Sequence, residues 1–328
     1  MSKKYSIILP VKNGGEYVKI CVDSILKQTY RDFNLIILDN NSNDGSLEWL
    51  QALADERVVI YTSAQSLSME ENWGRIVAVP KNEFITIIGH DDLLHPGYLE
   101  TMDALIAKHP QASLYQAHFK FIDAQGALVR HCQPMAEMQN ADEFLTCQIN
   151  RTLDSTGTGY MMRSSDYDAL GGISTMYPNL IFADYELWMK LTMKSYKATA
   201  AAEVFSYRLH NSVSKLTNGE EYVQAFGRYM LFLAESRKKN KAIATTLDLY
   251  GRKMLLYLCQ AMSHRLLKTS RQKRKTTVGD FIASCRVYAS ILIPGQSFSP
   301  LLAPGILAAR ILDNTIGLKL FALYKKTL

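Results

Sequence analysis

At 328 residues the chain has room for one large domain and an appendage. An apolar share of 48% with 21% charged residues excludes a disordered chain and is sufficient for a packed core throughout. The net charge of +6 hides a division: residues 1–217 carry 19 Lys/Arg against 25 Asp/Glu, and residues 218–328 carry 18 against 6, so the two stretches present different surfaces to different partners.

The first hundred residues alternate short apolar runs with amphipathic stretches. Tyr5–Val11 reads as a buried strand ending in the turn sequence Lys12-Asn13-Gly14-Gly15. Val18, Cys21, Val22, Ile25 and Leu26 then recur at helical spacing, which places them on one face against a sheet. Residues 34–38, 58–61 and 84–88 are predicted as the next three strands. Strands alternating with helices imply a parallel sheet, with ligands bound beyond the carboxyl ends of the strands. Two of those ends are acidic: residues 39–46 read DNNSNDGS, and residues 89–92 read GHDD. Pro96 is placed to open a helix, where its missing N–H costs nothing. A hairpin over 119–129, helices over 164–170 and 184–193, a strand over 204–209 and a mostly helical stretch from about Glu220 complete the predicted order.

The cysteines at 21, 132, 147, 259 and 285 form neither a CxxC pair nor a metal-ligand spacing, as expected in a reducing compartment. The opening Met-Ser-Lys-Lys-Tyr-Ser lacks the apolar stretch of a signal peptide, so a cytoplasmic protein is expected.

Five motifs in order carry a resemblance: residues 5–46 (YSIILPVKNGGEYVKICVDSILKQTYRDFNLIILDNNSNDGS), then FITIIGHDDLLHPGYLE, YMMRSSDYDALGGIS, FADYELWMKL and YRLHNSVS. In this order and spacing the chain resembles family 2 glycosyltransferases over roughly residues 4–216. The resemblance implies a GT-A fold, which is α/β and Rossmann-like, with a mostly parallel central sheet and flanking helices. A catalytic domain over 1–217 and a helical, basic C-terminal region over 218–328 are then expected. It also implies an inverting transfer of a sugar from a nucleotide diphosphate, with UDP favoured, to a glycan or lipid-linked glycan in surface polysaccharide or lipopolysaccharide synthesis.

Residue by residue, the resemblance assigns Asp39 to the nucleotide base, with Pro10, Lys12 and Asn13 in the neighbouring nucleotide-binding loop. Lys12 stands where the family often has an aromatic residue. Asp91 is assigned to the nucleotide and metal, with Asp92 and His210 as further metal ligands for Mn²⁺ or Mg²⁺. Adjacent carboxylates repel, and a hard divalent cation whose shell is completed by phosphates relieves that repulsion. Asp184 matches the acid that deprotonates the acceptor hydroxyl. Each position also has a plainer reading: an Asx turn for Asp39, helix N-terminal acids for Asp91, Asp92 and Asp184, and a structural histidine for His210. Arg208 and Lys215 are candidates to add charge near the phosphates, and Asn72, Trp73 and Arg75 lie in a stretch near the donor. The chain departs from the pattern at Gly89 and Ala183, where the family usually has acids.

Residues 265–275 hold six Lys/Arg and no acid, followed by apolar stretches at 287–293, 301–312 and 316–324. None approaches the ~18–20 residues needed to cross a bilayer. Short apolar segments beside clustered basic residues suggest a peripheral anchor on an anionic membrane surface. Homo-oligomerisation is the competing use of that surface, and nucleic acid is not expected. Two other functions remain open: a non-catalytic scaffold in glycan assembly, and a sugar-1-phosphate nucleotidyltransferase, whose Gly-rich phosphate loop the first turn does not supply.

Overall fold

The computed structural model of the protein describes residues 3–210, 217–314 and 316–318. The chain divides into two compact units. The first comprises residues 1–144, 151–176 and 183–212, and the second 145–150, 177–182 and 213–328.

The first unit is built on a ten-stranded mixed sheet. Its opening half comprises β1 (Tyr5–Val11), β2 (Phe33–Asp39), β3 (Val58–Thr62) and β4 (Phe84–Ile87), in the order β3-β2-β1-β4 with all pairs parallel. This is the parallel half that the sequence leads one to expect. Every residue of β1 is buried, which is why it reads as a continuous apolar run and not as an alternation. Pro10 sits in this central strand because the pairing with β4 stops at Ile8, so the missing N–H has no ladder partner to lose. The helix α1 (Gly15–Leu26) buries Val18, Cys21, Val22 and Ile25 against the sheet, as its periodicity requires.

Beyond β4 the sheet is mixed. It continues through β9 (Met161–Arg163), β6 (Leu114–Ile122) and β10 (Lys197–Arg208) to the two-residue β5 (Leu93–Leu94). The strand β7 (Leu128–His131) pairs with β6, giving the predicted hairpin, and β8 (Met138–Gln139) pairs with β10. β6 and β10 run parallel, while β9 is antiparallel to both of its neighbours. Flanking this half are α4 (Tyr98–Lys108), α6 (Ser164–Ala169) and α7 (Ala183–Lys194). Pro96 precedes α4 by two residues, with Gly97 as the residue before the helix.

The second unit is helical. Its main elements are α8 (Gly219–Lys239), α9 (Lys241–Lys268), α10 (Val278–Leu292) and α11 (Pro304–Leu312). Asn218 and Thr277 open α8 and α10 with reciprocal capping boxes. Arg274 and Asp313 form a fully buried ion pair, and Asp313 also accepts from the Val278 amide at 2.6 Å. Part of the basic run is therefore structural: Arg274 is buried and Arg265 lies 3.5 Å over the Tyr222 ring, while Lys268, Arg271, Lys273 and Lys275 are exposed. No helix among the described residues is long and apolar enough to cross a membrane.

Candidate functional site

The carboxyl ends of β1 and β2 lie side by side, with Val11 paired to Asp39. Asn13 and Asn41 adopt positive φ (51° and 54°), a conformation that asparagine tolerates in tight turns. The two loops are stitched together through these turns. The Asn13 amide donates to Ser42 Oγ at 3.0 Å, the Asn43 amide donates to Asn13 Oδ1 at 2.9 Å, and the Gly15 amide donates to Asp44 Oδ2 at 2.9 Å. Asn13 thus acts through its side chain on the loop after β2. Asn40, itself buried, grips the backbone of Leu67 in both directions, at 2.7 and 2.9 Å. Lys12 is exposed at the rim, its Nζ 3.4 Å from the Leu67 carbonyl, and Pro10 is buried within β1.

Asp39 lies at the centre of this cradle and is fully buried. Its Oδ2 accepts from the Ser42 amide at 3.2 Å, the Asx-type contact that the plainer reading anticipates. Its Oδ1 is buried with no hydrogen-bond partner. A buried carboxylate oxygen left unpaired is costly, so this position suits a ligand that brings an N–H. Behind it, Arg75 donates to the carbonyls of Asp39 (2.9 Å), Tyr61 (2.8 Å) and Thr62 (3.1 Å) and to Asn72 Oδ1 (2.9 Å), tying together the ends of β2 and β3. Arg75 and Asn72 therefore serve as backbone clamps.

The second acidic end is assembled from distant segments. His210, just past β10, meets Asp91 through Nε2 and Oδ2, and both side chains are about a quarter exposed. Asp92 is directed inward and buried. Thr158 donates to its Oδ2 at 2.6 Å and the Arg208 amide to its Oδ1 at 2.9 Å. Burial, and then the charge of Asp91, push the Asp92 carboxyl well above its ordinary range. With both oxygens engaged, Asp92 ties the GHDD turn to β10 and to the loop before β9. The open acid is Asp91. Gly89 has a steric role here, since a Cβ at this position would come within 2.6 Å of Asp91 Oδ1 and 3.2 Å of Asp92 Oδ2.

One open carboxylate and one imidazole suit a divalent ion of the Mn²⁺ type, with substrate phosphates completing the shell. Among the described residues no group of three or more His, Cys, Asp or Glu side chains is placed to hold a metal ion. Arg208 is buried, and its side chain is taken up by the carbonyls of Asp91 (2.7 Å), Asp123 (3.0 Å) and Ala124 (3.1 Å). It acts as a clamp between turns. Lys215 lies outside the described residues.

Asp184 stands in the first turn of α7, partly buried, with its Oδ2 3.6 Å from the position a Cβ on Gly157 would take. Burial raises its carboxyl to about 6, against the pull of the backbone N–H groups of Tyr185 and Asp184 itself. Burial, and then the charges of Asp92, Asp91 and Asp184, hold the Tyr207 hydroxyl above its ordinary range. The loop 155–159 joins them, since Thr158 holds Asp92 and the Thr156 carbonyl accepts from the Trp188 indole at 3.0 Å. Thr158 and Tyr207 are not evident from sequence, because a lone threonine or tyrosine carries no motif. Trp188 stacks on Tyr160 (centroids 4.4 Å apart) and is core, and Trp73 is half-buried in the short helix over 69–74.

The profile described as Glycosyl transferase family 2 matches residues 6–170, half of the chain. The chain belongs to glycosyl transferase family 2. The glycosyltransferase GlyG of Streptococcus pneumoniae is 34% identical over 104 residues, covering 31% of this chain and 35% of that protein. The chain therefore spans only about a third of that curated relative, and 31% of a Rickettsia conorii relative, an uncharacterized glycosyltransferase. Among solved structures, Staphylococcus aureus TarS 1–349 superposes with a TM-score of 0.67 at 13% identity, covering 99% of this chain and 92% of that one. The mannosyltransferase PcManGT of Pyrobaculum calidifontis, in complex with GDP-Man and Mn²⁺, gives a TM-score of 0.51 at 12% identity, with 94% and 86% coverage. These likenesses show the GT-A fold.

Proposed function

We propose that the protein is an inverting glycosyltransferase that takes a sugar from a UDP-sugar, with the help of Mn²⁺ or Mg²⁺, and places it on a hydroxyl of a glycan or lipid-linked glycan. The observation that carries this reading is the buried, unpartnered Oδ1 of Asp39 at the end of β2. Uracil offers a single N3–H, which one free carboxylate oxygen can accept, whereas guanine presents two adjacent donors to a site with one vacancy. TarS has also been solved in complex with UDP-GlcNAc, with a TM-score of 0.60 to this chain.

In this mechanism Asp184, ionised at neutral pH, takes the proton of the acceptor hydroxyl as the acceptor oxygen bonds to the anomeric carbon. The bond from that carbon to the diphosphate breaks on the opposite face, and the nucleoside diphosphate leaves. Asp91 and His210 would hold the cation, which neutralises charge growing on the leaving diphosphate. Asp92, Thr158 and Arg208 keep the turn bearing Asp91 in place. Calorimetric titration of UDP, GDP, CDP and dTDP, each with and without Mn²⁺, tests the donor reading. Tight binding of UDP that weakens at least tenfold without metal is expected. If none of the four binds, the protein is not a transferase of this class, and a scaffold role leads.

The second unit is proposed to dock on an anionic membrane surface at the cytoplasmic face, in a setting of surface polysaccharide synthesis. Exposed Val287, Ile291, Leu302, Leu307 and Ile311 lie in the same helical unit as exposed Lys268, Arg271, Lys273 and Lys275. Sedimentation with vesicles containing anionic lipid is expected, with loss of binding for Leu302→Glu combined with Ile311→Glu. Parent protein that stays in the supernatant would remove the anchor. A concentration-dependent dimer broken by the same substitutions would assign the surface to a second copy of the chain.

A further inference from the structure

We propose that Tyr17 is a positioning residue that holds the His210 imidazole facing Asp91 and thereby sets the affinity of the site for a divalent cation. The inference rests on the metal reading above and gives a role to a residue that the sequence motifs leave without one. Tyr17 lies in the first turn of α1, half-buried, and meets three groups from other parts of the chain. Its ring centroid is 5.5 Å from that of His210, with the planes inclined at 56°. The Arg208 guanidinium lies over the same ring at 4.8 Å. The hydroxyl donates to the Ala124 carbonyl at 3.2 Å.

Arg208 is the last residue of β10 and His210 lies two residues beyond it, and both present their side chains to the Tyr17 ring. Arg208 is anchored independently, by its own amide to Asp92 and by its guanidinium to three carbonyls. His210 has its Nε2 on Asp91 and its ring against Tyr17. Removing the aromatic ring would free the imidazole to rotate away from Asp91, while Asp91, Asp92 and Arg208 kept their places. Groups that orient a metal-ligating histidine typically account for ten- to a hundredfold in metal affinity.

The test compares Tyr17→Leu and Tyr17→Phe with the parent in the full-length protein, using two readouts. The first is the His210 ring signal in a proton–carbon correlation spectrum of metal-free protein, assigned by its loss in His210→Gln. The second is Mn²⁺ affinity from paramagnetic resonance in the presence of UDP. Tyr17→Leu is expected to shift the His210 signal and to weaken Mn²⁺ binding about tenfold. Tyr17→Phe, which keeps the ring and loses only the bond to Ala124, should match the parent in both. An unmoved His210 signal in Tyr17→Leu, an unchanged Mn²⁺ affinity, or equal damage from Tyr17→Phe would overturn the proposal. If Tyr17→Leu does not fold, Tyr17→Gln replaces it. A parent that binds no Mn²⁺ would sink the metal reading, and the metal-free His210 signal would then still decide whether Tyr17 positions that ring.

Discussion

Asp184→Asn is expected to lower kcat by about 10²–10⁴-fold, the usual contribution of a general base, while leaving the affinity for the nucleotide donor within about twofold. The asparagine keeps the shape of the side chain and loses the ability to take a proton. In the parent, kcat/KM should fall as pH drops below about 6, where burial places the titration of Asp184, and this acid limb should be absent from the residual activity of the variant. The stability effect has the opposite sign. Asp184 is raised in the folded state, so the folded protein binds its proton more tightly than the unfolded chain does. Its contribution therefore erodes stability as pH rises from the ordinary aspartate value of 3.8 to about 6, and the loss is complete above that. Asparagine carries no such charge, so the melting temperature of the variant at pH 7.5 should exceed that of the parent, with the gap closing toward pH 4. A variant that turns over at the parent rate would remove Asp184 as the base. A variant that is slow but no more stable would mean that water reaches the carboxylate and that burial does not set its titration.

Much of this architecture is legible in the sequence for specific reasons. β1, β2 and β4 are continuous apolar runs bounded by turn residues, and α1 has a clean helical period, so the half of the sheet that carries Asp39 follows from local pattern alone. The mixed half does not. β9 has three residues and β5 two, too short for any period to register, and β10 begins with the alanine-rich stretch 197–202 before a register shift near Glu203. Residues 179, 180 and 182, just before α7, take left-handed φ values, and nothing in Asn-Leu-Ile-Phe foretells that for a leucine or a phenylalanine. At the site, the acids could be listed from the sequence, but their division of labour could not. Asp91 and Asp92 are adjacent in the chain, yet one is open to a ligand and the other is buried and fully bonded. That distinction depends on Thr158 and Arg208, which lie 66 and 116 residues away from Asp92. Gly89 looks like a missing acid in sequence and proves to be the space that the Asp91 carboxylate fills.

Asp39→Asn is expected to reverse the nucleotide preference of the donor site. The Ser42 amide donates to Asp39 Oδ2, and in the variant it still needs an acceptor, which fixes the asparagine carbonyl oxygen on that side. The amide NH₂ then occupies the place of the buried, unpartnered Oδ1. The N3–H of uracil, which that oxygen would accept, now meets a donor. The loss of a charge-assisted bond together with an unpaired donor in a buried site costs about 3 kcal/mol, or about a hundredfold in UDP affinity. Cytosine presents a lone pair at N3 where uracil presents a proton, so the same substitution gives it a partner, and CDP should bind the variant more tightly than UDP does. Calorimetry with the two diphosphates on parent and variant measures both arms of this exchange. UDP affinity unchanged within about threefold would mean that Asp39 does not meet the base, and the free oxygen at the end of β2 would need another ligand. Loss of UDP with no gain for CDP would keep Asp39 in the site but deny that one hydrogen bond selects the base. A crossing from UDP to CDP requires that the N3 edge of the base meet this oxygen, because contact with the other point of difference, O4 against the N4 amino group, would move the preference the opposite way.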